Sequence, residues 1–246
     1  MKFCIIIPVY NTENHIATVV ESVQQFAEYV IVVNDGSTDT TATVLQHIAG
    51  INIVSYETNR GKGYALQQGF RQALKRGFTH AITLDADGQH LASDIPIMMQ
   101  KSLKNPNALI IGSRSFDNPN MPQGNIFANN FSNFWFMVQT GIRLPDTQTG
   151  FRVYPLLKIG TMHLCTNRYE AELELLVRSA WRGILLIPQA IHVYYPPQNE
   201  RLSHFRGGKD FFRISLLNAI LCFFAIIWGY PSIFIRKLYR VFNTTQ

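Results

Sequence analysis

Tyr29-Val30-Ile31-Val32-Val33-Asn34-Asp35-Gly36-Ser37-Thr38-Asp39 is the stretch on which the fold turns. An aromatic and four β-branched residues run without alternation and then break into a polar turn. Such a run reads as a strand covered on both faces, as in a parallel sheet. Phe3-Cys4-Ile5-Ile6-Ile7 has the same character. Between the two strands, Ile16, Val19, Val20 and Val23 fall at helical spacing within residues 14–27.

Outward from that unit the pattern repeats. Further strands are expected at 51–54, 79–84 and 108–112, and helices at 38–48, 62–76 and 93–103. Strand–helix alternation predicts an α/β fold, with a mostly parallel sheet and helices on both faces. Ligands of such sheets bind beyond the carboxyl ends of the strands. The polar clusters 34–39 and 85–90 both follow strands, so both belong on that edge. Beyond residue 113 the pattern is less regular. A polar loop at 115–123, an aromatic-rich helix at 124–140, a loop at 141–152, a helix at 170–181 and a strand at 184–187 are expected. Residues 1–200 read as one catalytic domain, and 201–246 as a basic segment with an apolar helix.

Charge is unevenly placed. The chain has 246 residues and a formal net charge of +6. Arg201, Arg206, Lys209, Arg213, Arg236, Lys237 and Arg240, with His204, face one acid, Asp210, in the stretch from Arg201 to Arg240. Ile214 to Ile235 carries no charge, and a helix of that length measures about 33 Å, enough for a ~30 Å hydrocarbon core. With Trp228 and Tyr230 as interface anchors, the segment is expected to cross the membrane once, the alternatives being a helix in the interface and a buried core or oligomer-forming helix. Basic residues beside an apolar run point to anionic membrane, and nucleic acid is excluded as a partner. The three cysteines, Cys4, Cys165 and Cys222, lack metal-ligand spacing, which suggests reduced thiols and a cytosolic catalytic domain. The opening residues do not read as a signal peptide, because their apolar run is short and leads into Asn11-Thr12-Glu13-Asn14.

Chemistry concentrates at strand ends. In Asp85-Ala86-Asp87-Gly88-Gln89, two carboxylates at i and i+2 in a turn can converge on Mg²⁺ or Mn²⁺, hard ions that suit phosphate substrates. Gln89 can add an amide oxygen, and His90 is a weaker ligand. Asp-x-Asp is also a common surface turn. In the 34–39 cluster Thr38 can cap the next helix with Asp39 in its first turn, whereas Asp35 is left to accept from a base or ribose. Asn59-Arg60-Gly61-Lys62-Gly63 can present amides and Lys62 to phosphate, or serve as a turn and cap alone. Arg114 and Arg152 can clamp phosphate oxygens, or form salt bridges. Glu170 and Glu172 start a helix, where acids are favourable anyway. No Gly-x-Ser-x-Gly elbow and no His-Glu-x-x-His zinc motif is present, which sets hydrolases aside.

These segments resemble, in order, those of the family 2 glycosyltransferases, above all the dolichyl- and polyprenyl-phosphate sugar synthases. The segments are Ile6–Glu13, Val32–Asp39, Gly61–Leu66, Leu84–His90, Gly112–Arg114, Asp146–Arg152 and Tyr169–Glu172. Asn34 departs from the family, which usually has an acid there. The resemblance covers residues 3–213 and implies a GT-A-type fold and inverting transfer of a hexose from a nucleoside diphosphate sugar, such as GDP-mannose or UDP-glucose. The acceptor it implies is a polyprenyl or dolichyl phosphate at the cytoplasmic membrane face. It implies donor contacts at Pro8, Tyr10, Glu13, Asp35, Lys62, Asp85, Ala86 and Asp87. Asp87 and Gln89 would ligate the divalent ion, and Arg114 and Arg152 would contact acceptor phosphate or donor diphosphate. Arg201, Arg206, Lys209 and Arg213 would meet the lipid acceptor. A homo-oligomer is compatible with the pattern. The alternatives are a membrane-anchored transferase acting on a lipid or saccharide hydroxyl, with Glu170 or Glu172 as base, and a non-catalytic nucleotide-sugar-binding scaffold. A nucleotidyltransferase would need a Gly-rich basic loop after the first strand, which is missing.

Overall fold

The computed structural model describes residues 1–115, 123–160, 162–195 and 207–243. Among them one seven-stranded sheet has the order β3-β2-β1-β4-β6-β5-β7. Its strands are β1 (Phe3–Val9), β2 (Val30–Asp35), β3 (Ile51–Tyr56), β4 (His80–Thr83), β5 (Leu109–Ser113), β6 (Arg152–Pro155) and β7 (Leu186–Ala190). Six run in the same direction, and β6 is antiparallel to both β4 and β5. The helices are α1 (Ile16–Gln24), α2 (Thr41–Gln46), α3 (Lys62–Lys75), α4 (Ile95–Lys104), α5 (Gln123–Thr140), α6 (Leu156–Ile159), α7 (Glu170–Trp181), α8 (Gly207–Phe224) and α9 (Tyr230–Asn243).

The sheet separates two apolar layers. One holds Ile5, Ile7, Val30 and Val32 against Val20 of α1 and Met98 of α4. The other holds Cys4, Ile6, Ile31 and Val33 against α3, α5, α7 and α8, through residues such as Phe70, Phe136, Leu176 and Leu221. Consecutive strand residues therefore serve opposite layers, which is why β1 and β2 are apolar at nearly every position.

β6 was not foreseen, since residues 141–152 read as a loop. Its short sequence, Arg152-Val153-Tyr154-Pro155, carries a charge at one end and proline at the other, so it has no strand periodicity of its own. Pairing places Arg152 opposite Thr83, at the carboxyl end of β4. The strand order reverses at β1, between β2 and β4. That switch point opens a crevice at the carboxyl ends of β1 and β4. Pro8 fits there because Ile5 N–H donates to Tyr29 O, just ahead of β2. Even-numbered residues of β1 thus face β4, whose pairing ends at Ile6, so proline removes no ladder bond.

α8 and α9 are joined by a π turn, Ala225–Gly229. Pro231, near the start of α9, cannot donate to the preceding turn, and a π turn is a standard accommodation. The cysteines are unpaired: Cys4 is buried, Cys222 half-buried and Cys165 exposed.

Candidate active site

Three strand ends converge on the crevice. β4 delivers Asp85 and Asp87, β2 delivers Asp35, and the loop ahead of β6 closes over them. Thr83 Oγ1 donates to Gly150 O at 2.6 Å. A Cβ on Gly150 would lie 2.6 Å from Asp85 Oδ1, so the carboxylate occupies the space that only glycine leaves open.

Asp85 is paired. Lys62, the first residue of α3, reaches Asp85 Oδ1 at 2.6 Å and Glu172 Oε2 at 2.7 Å. The contact exists because the start of α3 is pressed against the start of α7: Tyr64 N–H donates to Asn167 O at 2.9 Å, and a Cβ on Gly63 would strike Ala171. Burial acts to raise the Asp85 carboxyl, but Lys62, then His90, outweigh it and hold it below the ordinary carboxylate range. Burial opposes the Lys62 charge in turn, but Asp85 and Glu172 raise its pKa. Lys62, expected to face phosphate, is thus held between two carboxylates.

Asp87 has no such partner. Its Oδ1 accepts from Gln89 N–H at 3.0 Å, and burial followed by the charge of Asp85 pushes its carboxyl up. A carboxylate pair with one member uncompensated is a donor set for a hard cation. Among the described residues no group of three or more His, Cys, Asp or Glu side chains gathers to form a complete cage. Mg²⁺ is commonly held by one or two carboxylates plus substrate phosphate, and the pair fits that mode.

Asp35 is buried, with both oxygens engaged by the neighbouring turn. Arg60 N–H donates to Oδ1 at 2.8 Å, and Gly61 N–H and Asn59 Nδ2 donate to Oδ2 at 2.7 and 3.1 Å. Gly36, at φ +64°, lies against the backbone of Thr58 and Asn59, where a Cβ has no room. Asn34 donates to Ser55 Oγ at 3.1 Å and accepts from Ser37 N–H at 3.1 Å, which ties β2 to β3 and to the turn that follows. Glu13 accepts from Thr40 N–H at 2.9 Å, and Asp39 Oδ1 from Thr41 N–H at 3.0 Å. The start of α2 is therefore held by Asp39 and Glu13, and the expected cap, Thr38, instead bonds Asn11. Tyr10 is half-buried at the end of β1, and Ala86 is buried in the α1 and α4 layer.

The two arginines act on the chain itself. Arg114 makes a two-pronged pair with Asp146, Nε to Oδ2 at 2.6 Å and Nη2 to Oδ1 at 3.0 Å. Asp146 Oδ1 also accepts from Gln148 and Thr149 N–H, which folds the loop. Arg152 is 0% exposed and donates to three carbonyls: Thr149 at 2.8 Å, Thr147 at 2.8 Å and Glu172 at 3.0 Å. Arg152, expected to contact phosphate, is a sealed guanidinium whose fork rests on backbone oxygens and shapes the loop. Asp146, Gly150 and the Lys62–Glu172 pair are contributors that spacing did not reveal. Arg201 and Arg206 lie outside the described residues, as does the side chain of Lys209, whereas Arg213 is exposed on α8.

An α/β sheet with paired acids at its switch point places a ligand crevice there, with a donor set that suits a phosphate-bound cation. The glycosyl transferase family 2 model matches residues 4–171, and the chain belongs to that family, with the GT-A fold. It is similar to the UDP-N-acetylglucosamine–dolichyl-phosphate N-acetylglucosaminyltransferase of Methanococcus voltae, at 30% identity over 70% of this chain and 78% of that one. It is also similar to the polyprenol monophosphomannose synthase of Mycolicibacterium smegmatis, at 25% identity over 73% and 71%. The glucosyl-3-phosphoglycerate synthase of Mycobacterium tuberculosis, solved with Mn²⁺, UDP and phosphoglyceric acid, shares the fold at 16% identity. Its TM-score is 0.67, over 90% of this chain and 78% of that chain. The protein is thus a glycosyltransferase related to the polyprenyl- and dolichyl-phosphate sugar synthases and similar family 2 enzymes.

Proposed function

We propose that the protein transfers a hexosyl group, with inversion, from a nucleoside diphosphate sugar to a hydroxyl of a lipid or saccharide acceptor at the cytoplasmic face of a membrane. One contrast carries the choice of hydroxyl. Arg114 and Arg152, the cations first considered for an acceptor phosphate, are engaged with Asp146 and with backbone carbonyls. Glu170, by contrast, is buried at the start of α7 with its Oε2 unpartnered. A hydroxyl nucleophile needs a base, which an unpartnered carboxylate supplies.

The acceptor oxygen attacks the anomeric carbon as the bond from that carbon to the diphosphate oxygen breaks. The electron pair leaves with the nucleoside diphosphate, and the acceptor proton passes to Glu170. Asp87 and Gln89 would hold Mg²⁺ or Mn²⁺, which supplies charge neutralisation to the departing diphosphate. Lys62 keeps Asp85 ionised and fixed beneath the sugar phosphate. Asp35 orders the 59–61 turn, whose face, with Pro8, Tyr10, Glu13 and Ala86 around the crevice, receives the base and ribose. Lys209 and Arg213, with Arg201 and Arg206, meet anionic headgroups.

A second reading, transfer to a polyprenyl phosphate, is favoured by the named activities of the Methanococcus and Mycolicibacterium relatives. A donor–acceptor matrix with the purified chain in lipid separates the two. Sugar incorporation into diacylglycerol or saccharide acceptors, abolished by Glu170→Gln, is expected. Incorporation into polyprenyl phosphate alone, insensitive to Glu170→Gln, overturns the hydroxyl reading. Nucleotide binding with no turnover of any donor would indicate the scaffold.

A further inference from the structure

One face of the C-terminal helix lies along the catalytic domain for its whole apolar length. Leu217, Leu221, Ala225 and Gly229 are buried at intervals of four. In an α-helix each such step overshoots a full turn by about 40°. The π turn at Ala225–Gly229 is wider and sets the stripe back toward α5 and α7. Polar contacts fasten both ends. Gln139 Nε2 on α5 donates to Asn218 Oδ1 at 2.9 Å, and Trp181 Nε1 on α7 donates to Gln139 O at 2.8 Å. Ser232 Oγ donates to Trp181 O at 3.1 Å, and Arg236 reaches the same carbonyl. Asn218 to Arg236 is about 27 Å of helix, nearly the ~30 Å of a hydrocarbon core. A helix so fastened cannot run through a bilayer without drawing α5, α7 and the sheet behind them into the hydrocarbon.

The opposite face is apolar and open. Phe212, Leu216, Ile220, Phe223 and Ile227 form a continuous exposed stripe, and Trp228 is 67% exposed beside it. Phe127, 68% exposed, and Phe134 extend the apolar surface onto α5. Phe211 to Gln246 contains no acid, with Arg213 beside the start of the stripe and Lys237 after it, and Asp210 is the one acid nearby. An apolar face rimmed by cations and aromatic residues complements an anionic lipid surface, with the helix axis in the membrane plane.

We propose that α8–α9, with the aromatic edge of α5, docks in-plane into a single leaflet of an anionic membrane and does not cross it. The same α5 holds the active-site loop. Asn129 and Asn133 donate to Pro145 O at 3.1 and 2.8 Å, and Gln148 Nε2 donates to Ala128 O at 3.2 Å. Docking therefore fixes the loop that carries Gly150, and with it Asp85, relative to the lipid surface. The inference shares with the proposed function only the placement at a membrane, and its readout is topology and not turnover.

The test uses the full chain carrying Cys165→Ser and Cys222→Ser, with a single added cysteine, Gly208→Cys or Asn243→Cys. Sealed right-side-out and inverted vesicles from expressing cells are treated with a membrane-impermeant maleimide. Both positions are expected to label in inverted vesicles and to be protected in right-side-out ones. Labelling of the two positions from opposite sides overturns the proposal. Purified protein is expected to bind phosphatidylcholine vesicles containing phosphatidylglycerol, with Ile220→Glu weakening binding about tenfold or more and Lys237→Gln about fivefold. A stripe-dependent dimer that binds neither vesicle type also overturns the proposal. Circular dichroism of each variant establishes that it is folded.

Discussion

The two halves of the sheet contribute to the site in different currencies. Residues 3–87 supply the acids: Asp35, Asp85 and Asp87 all follow parallel strands of the first half. Residues 109–190 supply restraint, through the Arg114–Asp146 pair, the Arg152 fork, the close approach of Gly150 and the hold of Glu172 on Lys62. Chemistry at the switch point thus depends on a loop whose shape is set by buried arginine. Charge conspicuous in the second half serves geometry, whereas in the first half Asp35 orders a turn and the Asp85–Asp87 pair is left at the crevice.

The comparison is most open to breakage at Lys62, where the halves meet. Lys62→Met leaves Asp85 and Glu172 facing each other without a cation, and is expected to cost about 4 kcal/mol in urea unfolding, as for a broken enclosed ion pair. An unchanged midpoint would show that the two carboxylates do not depend on Lys62. Arg152→Met removes three hydrogen bonds to enclosed carbonyls and should lower stability by about 3 kcal/mol, read from the thermal midpoint. If Arg152 instead gripped phosphate, the variant would keep its midpoint and lose donor affinity.

Legibility followed the same division. β1, β2 and β3 are readable because each is an apolar run flanked by a helix with its own periodicity. Asp35 and Asp85 stand out because they end such runs. β6 has only four residues and exists by virtue of two neighbours, β4 and β5, which lie far away in sequence. Arg114 and Asp146 are separated by 32 positions, so their pairing is invisible to spacing. Lys62 looked like a phosphate contact because the glycine-rich turn before α3 was legible, whereas its partner on α7 was not. The apolar length of α8 and α9 was equally plain, but the four-residue stripe that docks it on α5 and α7 becomes meaningful only once the π turn is known.

Smaller effects sharpen the contrast. Gly150→Ala drives a methyl into the Asp85 carboxylate and should cost about 2 kcal/mol, the scale of an overpacked contact. Its turnover should fall by more than its stability loss accounts for, measured well below the unfolding temperature. Equal turnover with an intact fold would show that the loop can retreat without consequence. Glu172→Gln keeps the shape and one hydrogen bond to Lys62 and removes a charge, an expected change of about 1 kcal/mol. That loss should be rescued by Glu172→Asp only if the shorter side chain still reaches Lys62, which a comparison of urea midpoints decides.

The central claim is that Asp87 serves a cation-assisted departure of nucleoside diphosphate from a sugar donor. The most direct measurement is release of UDP or GDP from the corresponding sugar nucleotides by the full chain in lipid, with and without Mn²⁺, wild type beside Asp87→Ala. Release that requires the ion and falls by about 10²–10³ in the variant is the predicted result. Release that continues undiminished in Asp87→Ala, or proceeds fully under a chelator, would contradict it.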